Sequence, residues 1–259
     1  MNTEGVSAYI SGWLAEYCNQ SGLNGFIVGI SGGIDSAVTS ALCARTGLRV
    51  IALNMPIYQH TSEFNRSQEH IQWLQQHYPN VRGMEIDLTT AFDGLVHVLP
   101  QSVQEDMLSM ANTRSRLRMA TLYAVGQNNR LLVAGTGNKV EDFGIGFYTK
   151  YGDGGVDVSP IADLMKSEVY ALGRYLNIVQ SILTAPPTDG LWTDGRSDHD
   201  QIGATYDELE WAMLFTGNEE TLSPRQQEVL GIFRKFNRIN RHKMLPIPVC
   251  TIPAELRNA

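Results

Sequence analysis

Val6, Ile10, Trp13, Leu14 and Tyr17 recur at helical spacing and predict a packing helix over 3–19. The pattern then changes. Phe26-Ile27-Val28 is an unbroken apolar run, which predicts a buried strand. A helix can start at Ser36-Ala37-Val38-Thr39-Ser40-Ala41-Leu42, with Asp35 or Ser36 available to cap it. Residues 49–56 read as a second strand that ends at Pro56. Strand, helix and strand within one sheet require parallel strands and a right-handed crossover. The later periodicities predict helices over 62–78, 91–99, 105–127, 163–177, 207–215 and 224–239. Ile71 and Leu74 face inward on the first of these; Val169, Leu172 and Leu176 do so on the fourth. Strands are predicted over 81–88 and 131–134. Alternating strands and helices predict an α/β fold: a doubly wound parallel sheet with helices on both faces, in a single domain over 1–259.

Composition narrows the class without choosing a function. The 259 residues are ample for one core, and 43% hydrophobic with 18% charged residues is ordinary for a soluble globular protein. The net charge of -7 argues against a broad nucleic-acid surface. Cys18, Cys43 and Cys250 fit no metal spacing, and Cys43 reads as a buried thiol in a reduced, cytoplasmic compartment. Ser11, Gly12 and Glu16 interrupt the first apolar stretch, so neither a signal peptide nor a membrane span is expected. His60, His70 and His77 stand among polar residues and predict solvated or loop positions rather than a metal site.

The chemistry concentrates at strand ends. Gly29-Ile30-Ser31-Gly32-Gly33-Ile34-Asp35-Ser36 joins the first strand to a helix N-terminus. Free backbone N–H groups and the helix dipole make that geometry an anion site. No Lys follows the glycines, so it is not a Walker A loop. Asn54 and Met55 end the second strand on the same edge, where each either meets a ligand or merely closes the strand. A further strand ends in Gly135-Thr136-Gly137-Asn138-Lys139-Val140-Glu141-Asp142. Asp35 and Glu141 thus both lie just past strand ends, as Mg²⁺ ligands shared with phosphates would; alternatively Glu141 caps the next helix. Residues 144–157 interleave glycines, aromatics and charges without period, which favours a binding loop carrying Lys150. Lys166 at a helix start opposes the dipole unless a phosphate lies near. Arg114 and Arg118 share a helix face and Arg116 points elsewhere; charge alone makes them a solvated face. Residues 185–203 read as a mobile lid or a plain surface linker.

The string Ser31-Gly32-Gly33-Ile34-Asp35-Ser36 resembles the pyrophosphate loop of the ATP pyrophosphatase superfamily. Taken with S-R-L-R-M, G-T-G-N-K-V-E, T-K-Y-G-D-G-G-V-D, P-x-x-D-L-M-K, P-P-T-D-G-L-W, I-G-A-T-Y-D-E-L and the His242-Lys243 pair, the chain resembles the NAD synthetases over most of its length. The resemblance implies a Rossmann-like fold of the adenine nucleotide alpha hydrolase type. It implies ATP-dependent amidation of deamido-NAD (nicotinic acid adenine dinucleotide) to NAD through an adenylate, the last step of NAD biosynthesis. By position, residues 29–36, Thr136, Lys166 and Thr188 would contact ATP, and Asp35 and Glu141 would hold Mg²⁺. Arg116, Lys150, Asp157, His242 and Lys243 would contact deamido-NAD. Asp153 would lie near the ammonia and the nicotinate, and Phe147 or Tyr148 would stack on the pyridine ring. Asp35, Asp153 and Lys166 are thus the catalytic candidates. The phosphate loop begins at Gly29, which leaves no room before it for a glutaminase domain, so free ammonia is the expected nitrogen donor. A homodimer is expected, with no nucleic-acid or membrane partner. Two rival readings are a tRNA-modifying adenylating enzyme and a non-catalytic nucleotide-binding module. The acidic balance and scattered cysteines disfavour the first; Asp35, Glu141, Lys150 and Lys166 together disfavour the second.

Overall fold

The computed structural model describes residues 1–187 and 198–257. Its centre is a parallel sheet of four strands in the order β3-β2-β1-β4. These are β1 (Gly25–Gly29), β2 (Arg49–Asn54), β3 (Val81–Glu85) and β4 (Leu132–Val133). β1 pairs with β2 from Gly25 against Arg49 to Gly29 against Leu53, and with β4 through Phe26 against Leu132. An isolated parallel bridge between Ala134 and Val158 extends the β4 edge.

The described helices are α1 (Thr3–Gln20), α2 (Ile34–Arg45), α3 (Thr61–His77), α4 (Thr89–Val98), α5 (Gln101–Gln104), α6 (Met107–Asn129), α7 (Lys166–Tyr175), α8 (Gln180–Leu183), α9 (Asp198–Ile202), α10 (Tyr206–Leu214) and α11 (Pro224–Met244). A π-helical stretch, Val140–Ile145, follows β4.

The continuous apolar runs of the strands are explained by burial on both faces. In β1, Phe26 and Val28 join a cluster with Leu14, Leu42, Leu74 and Leu172, contributed by α1, α2, α3 and α7. Ile27 points the other way and packs with Ile51, Phe92, Met110 and Val133. The doubly wound arrangement follows from this alternation. α2 is buried from Ile34 to Ala44 except at Asp35, because helices and sheet surround it. A third cluster lies off the sheet, where Val140, Ile145 and Met165 meet Leu209, Val229 and Leu230 of α10 and α11.

Four expectations change. α1 turns Ser7, Ser11 and Cys18 inward with Ile10 and Leu14, leaving Trp13 and Tyr17 each 39% exposed. Small serines permit close approach: the Ser11 hydroxyl donates to the Leu42 carbonyl of α2 at 3.1 Å. His70 is buried, not solvated: its Nε2 lies 2.9 Å from Ser40 Oγ and its ring stacks on Trp73. Burial holds the imidazole down to a pKa of about 3, so His70 is neutral. β3 ends at Glu85 rather than at 88. α11 runs on to Met244, taking Arg241, His242 and Lys243 into its last turn, where cations suit the dipole. Among the described residues no helix is long and apolar enough to cross a membrane.

Candidate active site

A cleft opens beyond the C-terminal ends of the strands, as in other open α/β sheets. Its floor is the loop from Gly29 to Ser36. Gly32 has φ +84°, and a Cβ there would lie 2.6 Å from the Glu63 carbonyl oxygen, so the position requires glycine. The loop is tied by its own hydroxyls. Ser31 N–H donates to Ser36 Oγ at 3.3 Å, Gly33 N–H donates to Ser31 Oγ at 3.2 Å, and the Ser36 hydroxyl donates to the Gly33 carbonyl at 3.0 Å. The expected cap of α2 by Asp35 or Ser36 does not form. Gly33 occupies the cap position with no side-chain bond, which leaves the first turn's N–H groups available to an anion.

Asp35 serves another purpose. Lys166 Nζ donates to Asp35 Oδ2 at 2.6 Å and to Glu141 Oε1 at 2.9 Å, while only 4% of the lysine is exposed. Two carboxylates from distant elements therefore converge on one cation. Burial disfavours the ammonium, but Asp35 and Glu141 outweigh it and hold the Lys166 pKa above its ordinary value. One ammonium leaves the pair of carboxylates with excess negative charge. Oxygen ligands converging on a point already held by a cation suit a small hard divalent ion completed by phosphate and water. No cluster of three or more His, Cys, Asp or Glu occurs among the described residues, so phosphate would have to complete that shell.

The turn after β4 presents Glu141. Asn138 Oδ1 accepts from the N–H groups of Val140 and Glu141 at 3.1 Å each, so Asn138, and not Glu141, supplies the cap. The Tyr206 hydroxyl lies 2.5 Å from Glu141 Oε1 and 2.8 Å from Asp198 Oδ2, and its single proton serves one of them at a time. The Lys166 ammonium sits 4.5 Å above the Tyr206 ring. Pattern reading did not single out Tyr206 or Asn138, and it gave Arg118 to a solvated face. Arg118 lines the cleft and donates to the Met55 carbonyl at 3.0 Å, which removes it from the solvated face expected of it. Arg114 stands 5.1 Å over the Phe92 ring. Asn54 and Met55 both line the cleft.

Thr136, Glu141, Asp153, Lys166 and Phe147 line the same cleft as the loop. Asp153 is anchored from α6: Ser115 Oγ donates to Asp153 Oδ1 at 2.8 Å, and Thr149 N–H donates to the same oxygen at 2.9 Å. A second cavity of about 150 Å³ adjoins it, sharing Asp153 and lined by Asp142, Tyr148 and Lys243. Burial, then the charges of Glu141, Asp153 and Asp35, push the Asp142 carboxyl up to about 8.

The remaining candidates gather outside the main cleft. Lys150 Nζ donates to the His242 carbonyl at 2.8 Å, and Lys243 Nζ donates to the carbonyls of Gly146 and Tyr148 at 2.8 Å each. The Arg116 guanidinium approaches the Lys150 carbonyl at 3.4 Å. Asp157 is not brought to the cleft: Val133 N–H donates to its Oδ2 at 2.8 Å and the Tyr123 hydroxyl to its Oδ1 at 3.0 Å. Its carboxylate secures the sheet edge. Thr188 and most of the 185–203 stretch lie outside the described residues.

The sequence profile of the NAD synthase family matches residues 6–244. The chain belongs to the NAD synthase family. It is 37% identical over 228 residues to the NH₃-dependent NAD⁺ synthetase of Mycoplasma genitalium, covering 87% of this chain and 88% of that protein. Among solved structures of the NAD synthase fold, the NMN synthetase of Francisella tularensis superposes with a TM-score of 0.84 at 30% identity, covering 98% of this chain and 99% of that one. The NH₃-dependent NAD synthetase of Campylobacter jejuni, solved with a nitrate ion, gives 0.75 at 25% identity, covering 97% and 100%. The expected family and the parallel α/β fold are therefore both found.

Proposed function

We propose that this NAD synthase-family ligase amidates deamido-NAD to NAD with ammonia and ATP, releasing AMP and pyrophosphate. The observation that carries this reading is the convergence of Asp35, Glu141 and Lys166 at the mouth of the 29–36 loop. A carboxylate is a poor acyl donor, so the nicotinate oxygen first attacks the α-phosphorus of ATP and pyrophosphate leaves. Ammonia then attacks the activated carbonyl, AMP departs, and the nitrogen loses a proton.

The open N–H groups of the 29–36 loop and the α2 N-terminus bind the departing phosphates. Lys166 swings its charge from the two carboxylates toward those phosphates. Asp35 and Glu141 would hold Mg²⁺, which would supply neutralisation of charge on the triphosphate. Catalysis rests on positioning and charge stabilisation. Asp153, shared between the two cavities, faces the amidation half. Phe147 lines the cleft, whereas Lys243 already sits 5.4 Å from the Tyr148 ring; Phe147 is therefore the ring assigned to the pyridine. Lys150, His242 and Lys243 form the rim that meets the dinucleotide. Leu95 and Val98 of α4 and Met107 and Leu108 of α6 are exposed apolar side chains, and apolar surface of this kind supports a homodimer. The reading treats the chain as one synthetase domain that takes free ammonia.

The test is pyrophosphate release by purified protein with ATP, Mg²⁺, ammonium and deamido-NAD, with NAD followed in parallel. Equal yields of pyrophosphate and NAD, both dependent on deamido-NAD, support the reading. A second reading, in which nicotinic acid mononucleotide is the acid, is favoured by the similarity to the Francisella NMN synthetase structure. A higher kcat/KM for the mononucleotide than for deamido-NAD would select it.

A further inference from the structure

We infer that Asn138 is the positioning residue that fixes Asp35 and Glu141 as one divalent-cation clamp. The inference rests on the reading of that pair given above. Asn138 is fully buried. Its Oδ1 accepts from Val140 and Glu141 N–H, and its Nδ2 donates to Asp35 Oδ1 at 3.1 Å. Its backbone carbonyl accepts from Asp142 N–H at 2.9 Å. One side chain thus holds the turn that presents Glu141 and grips the opposite carboxylate.

Chemistry fixes the orientation of the amide. The two N–H groups need an acceptor, and the Asp35 carboxylate only accepts. Turned over, the amide would set donor against donors and oxygen against carboxylate. Aspartate in its place would keep the acceptor but put a second negative charge against Asp35. Serine would keep an oxygen near the turn but fall short of Asp35.

Among the described residues, two side chains bridge Asp35 to the Glu141 turn: Lys166 and Asn138. Lys166 is a charged arm with phosphates as its alternative partner. When it leaves, Asn138 still ties Asp35 to the turn. Its bond uses Asp35 Oδ1, whereas Lys166, which also meets Glu141, takes Oδ2. The clamp is therefore preorganised, and supporting contacts of this kind typically alter metal affinity about 10- to 100-fold.

The experiment titrates Mn²⁺ into protein holding α,β-methylene-ATP and reads bound metal by electron paramagnetic resonance. The proteins are wild type, Asn138→Ser, Asp35→Asn and the double variant. Asn138→Ser should keep the wild-type circular dichroism and bind Mn²⁺ at least about tenfold more weakly. It should add little further loss in the Asp35→Asn background. A merely structural role would lower the melting temperature and leave the Mn²⁺ affinity of folded protein unchanged, which overturns the inference. Loss in Asp35→Asn with wild-type binding in Asn138→Ser overturns it alone; wild-type binding in both overturns the metal assignment as well. Wild-type protein labelled with ¹⁵N-asparagine gives a reading that needs no variant. The Asn138 side-chain amide resonance should move when Mg²⁺ is added with α,β-methylene-ATP, and a resonance that stays in place overturns the inference.

Discussion

The two halves of the site are built differently. The proposed phosphate half is one contiguous loop from Gly29 to Ser36, cross-linked by its own serines and set on the buried α2. The proposed acid-substrate half is assembled from separate pieces: the 146–157 loop, Ser115 of α6 and Lys243 of α11. A loop closed by contacts within a few residues is specified locally. A surface closed by contacts across about 95 positions, as between Lys243 and Tyr148, depends on the whole fold. Between them, Asp35, Asn138, Glu141 and Lys166 join the two halves, with two carboxylates on one ammonium.

The comparison can be broken or sharpened by experiment. The largest effect is expected at the junction. Asp35→Asn or Glu141→Gln should lower NAD formation about 10²- to 10³-fold with the fold intact, checked by kcat and circular dichroism. Near-wild-type turnover in either would remove that carboxylate from the clamp.

Gly32→Ala tests the local half. The added Cβ meets the Glu63 carbonyl oxygen at 2.6 Å with φ at +84°, so a stability loss of about 2 kcal/mol is expected in urea unfolding. An unchanged midpoint would show that the loop yields easily.

His70 tests the support beneath that loop. The folded state keeps His70 neutral down to about pH 3, whereas an unfolded histidine takes up its proton near about pH 6.5. Between these values the unfolded chain binds more protons, so stability falls as pH falls, by up to about 1.4 kcal/mol per pH unit. His70→Gln should flatten this part of the pH profile of urea midpoints. A slope unchanged by the substitution would assign the acid sensitivity elsewhere.

The smallest effect is expected at the rim. Lys243→Met removes two hydrogen bonds to the 146–148 backbone and should raise KM for the acid substrate about tenfold, with KM for ATP unchanged. Equal rises in both would show that the halves are not separable.

Much of the fold was readable because its signals are short in range. Phe26-Ile27-Val28 announces a strand buried on both faces, and the Gly-Gly pair announces the turn from that strand into a helix. α2 and α7 fall close to where periodicity puts them, since each has one dominant environment. Periodicity failed where small or polar residues face inward. It could not know that Ser7 and Ser11 pack more closely than Trp13, nor that Ser40 awaits His70.

The sequence by itself determined the strand–loop–helix order, the glycine at Gly32 and the presence of Asp35 and Glu141 just beyond strand ends. These follow from dihedral sterics and from the period of apolar residues, which act over a few positions. Only the tertiary structure decided which charges meet. Lys166 reaches Asp35 across 131 positions and Asn138 reaches it across 103. Asp157 was drawn to the sheet edge by Val133, and Arg118 was drawn into the cleft by the Met55 carbonyl. Electrostatic partners are chosen by distance in space and by burial, and neither is written in the spacing along the chain.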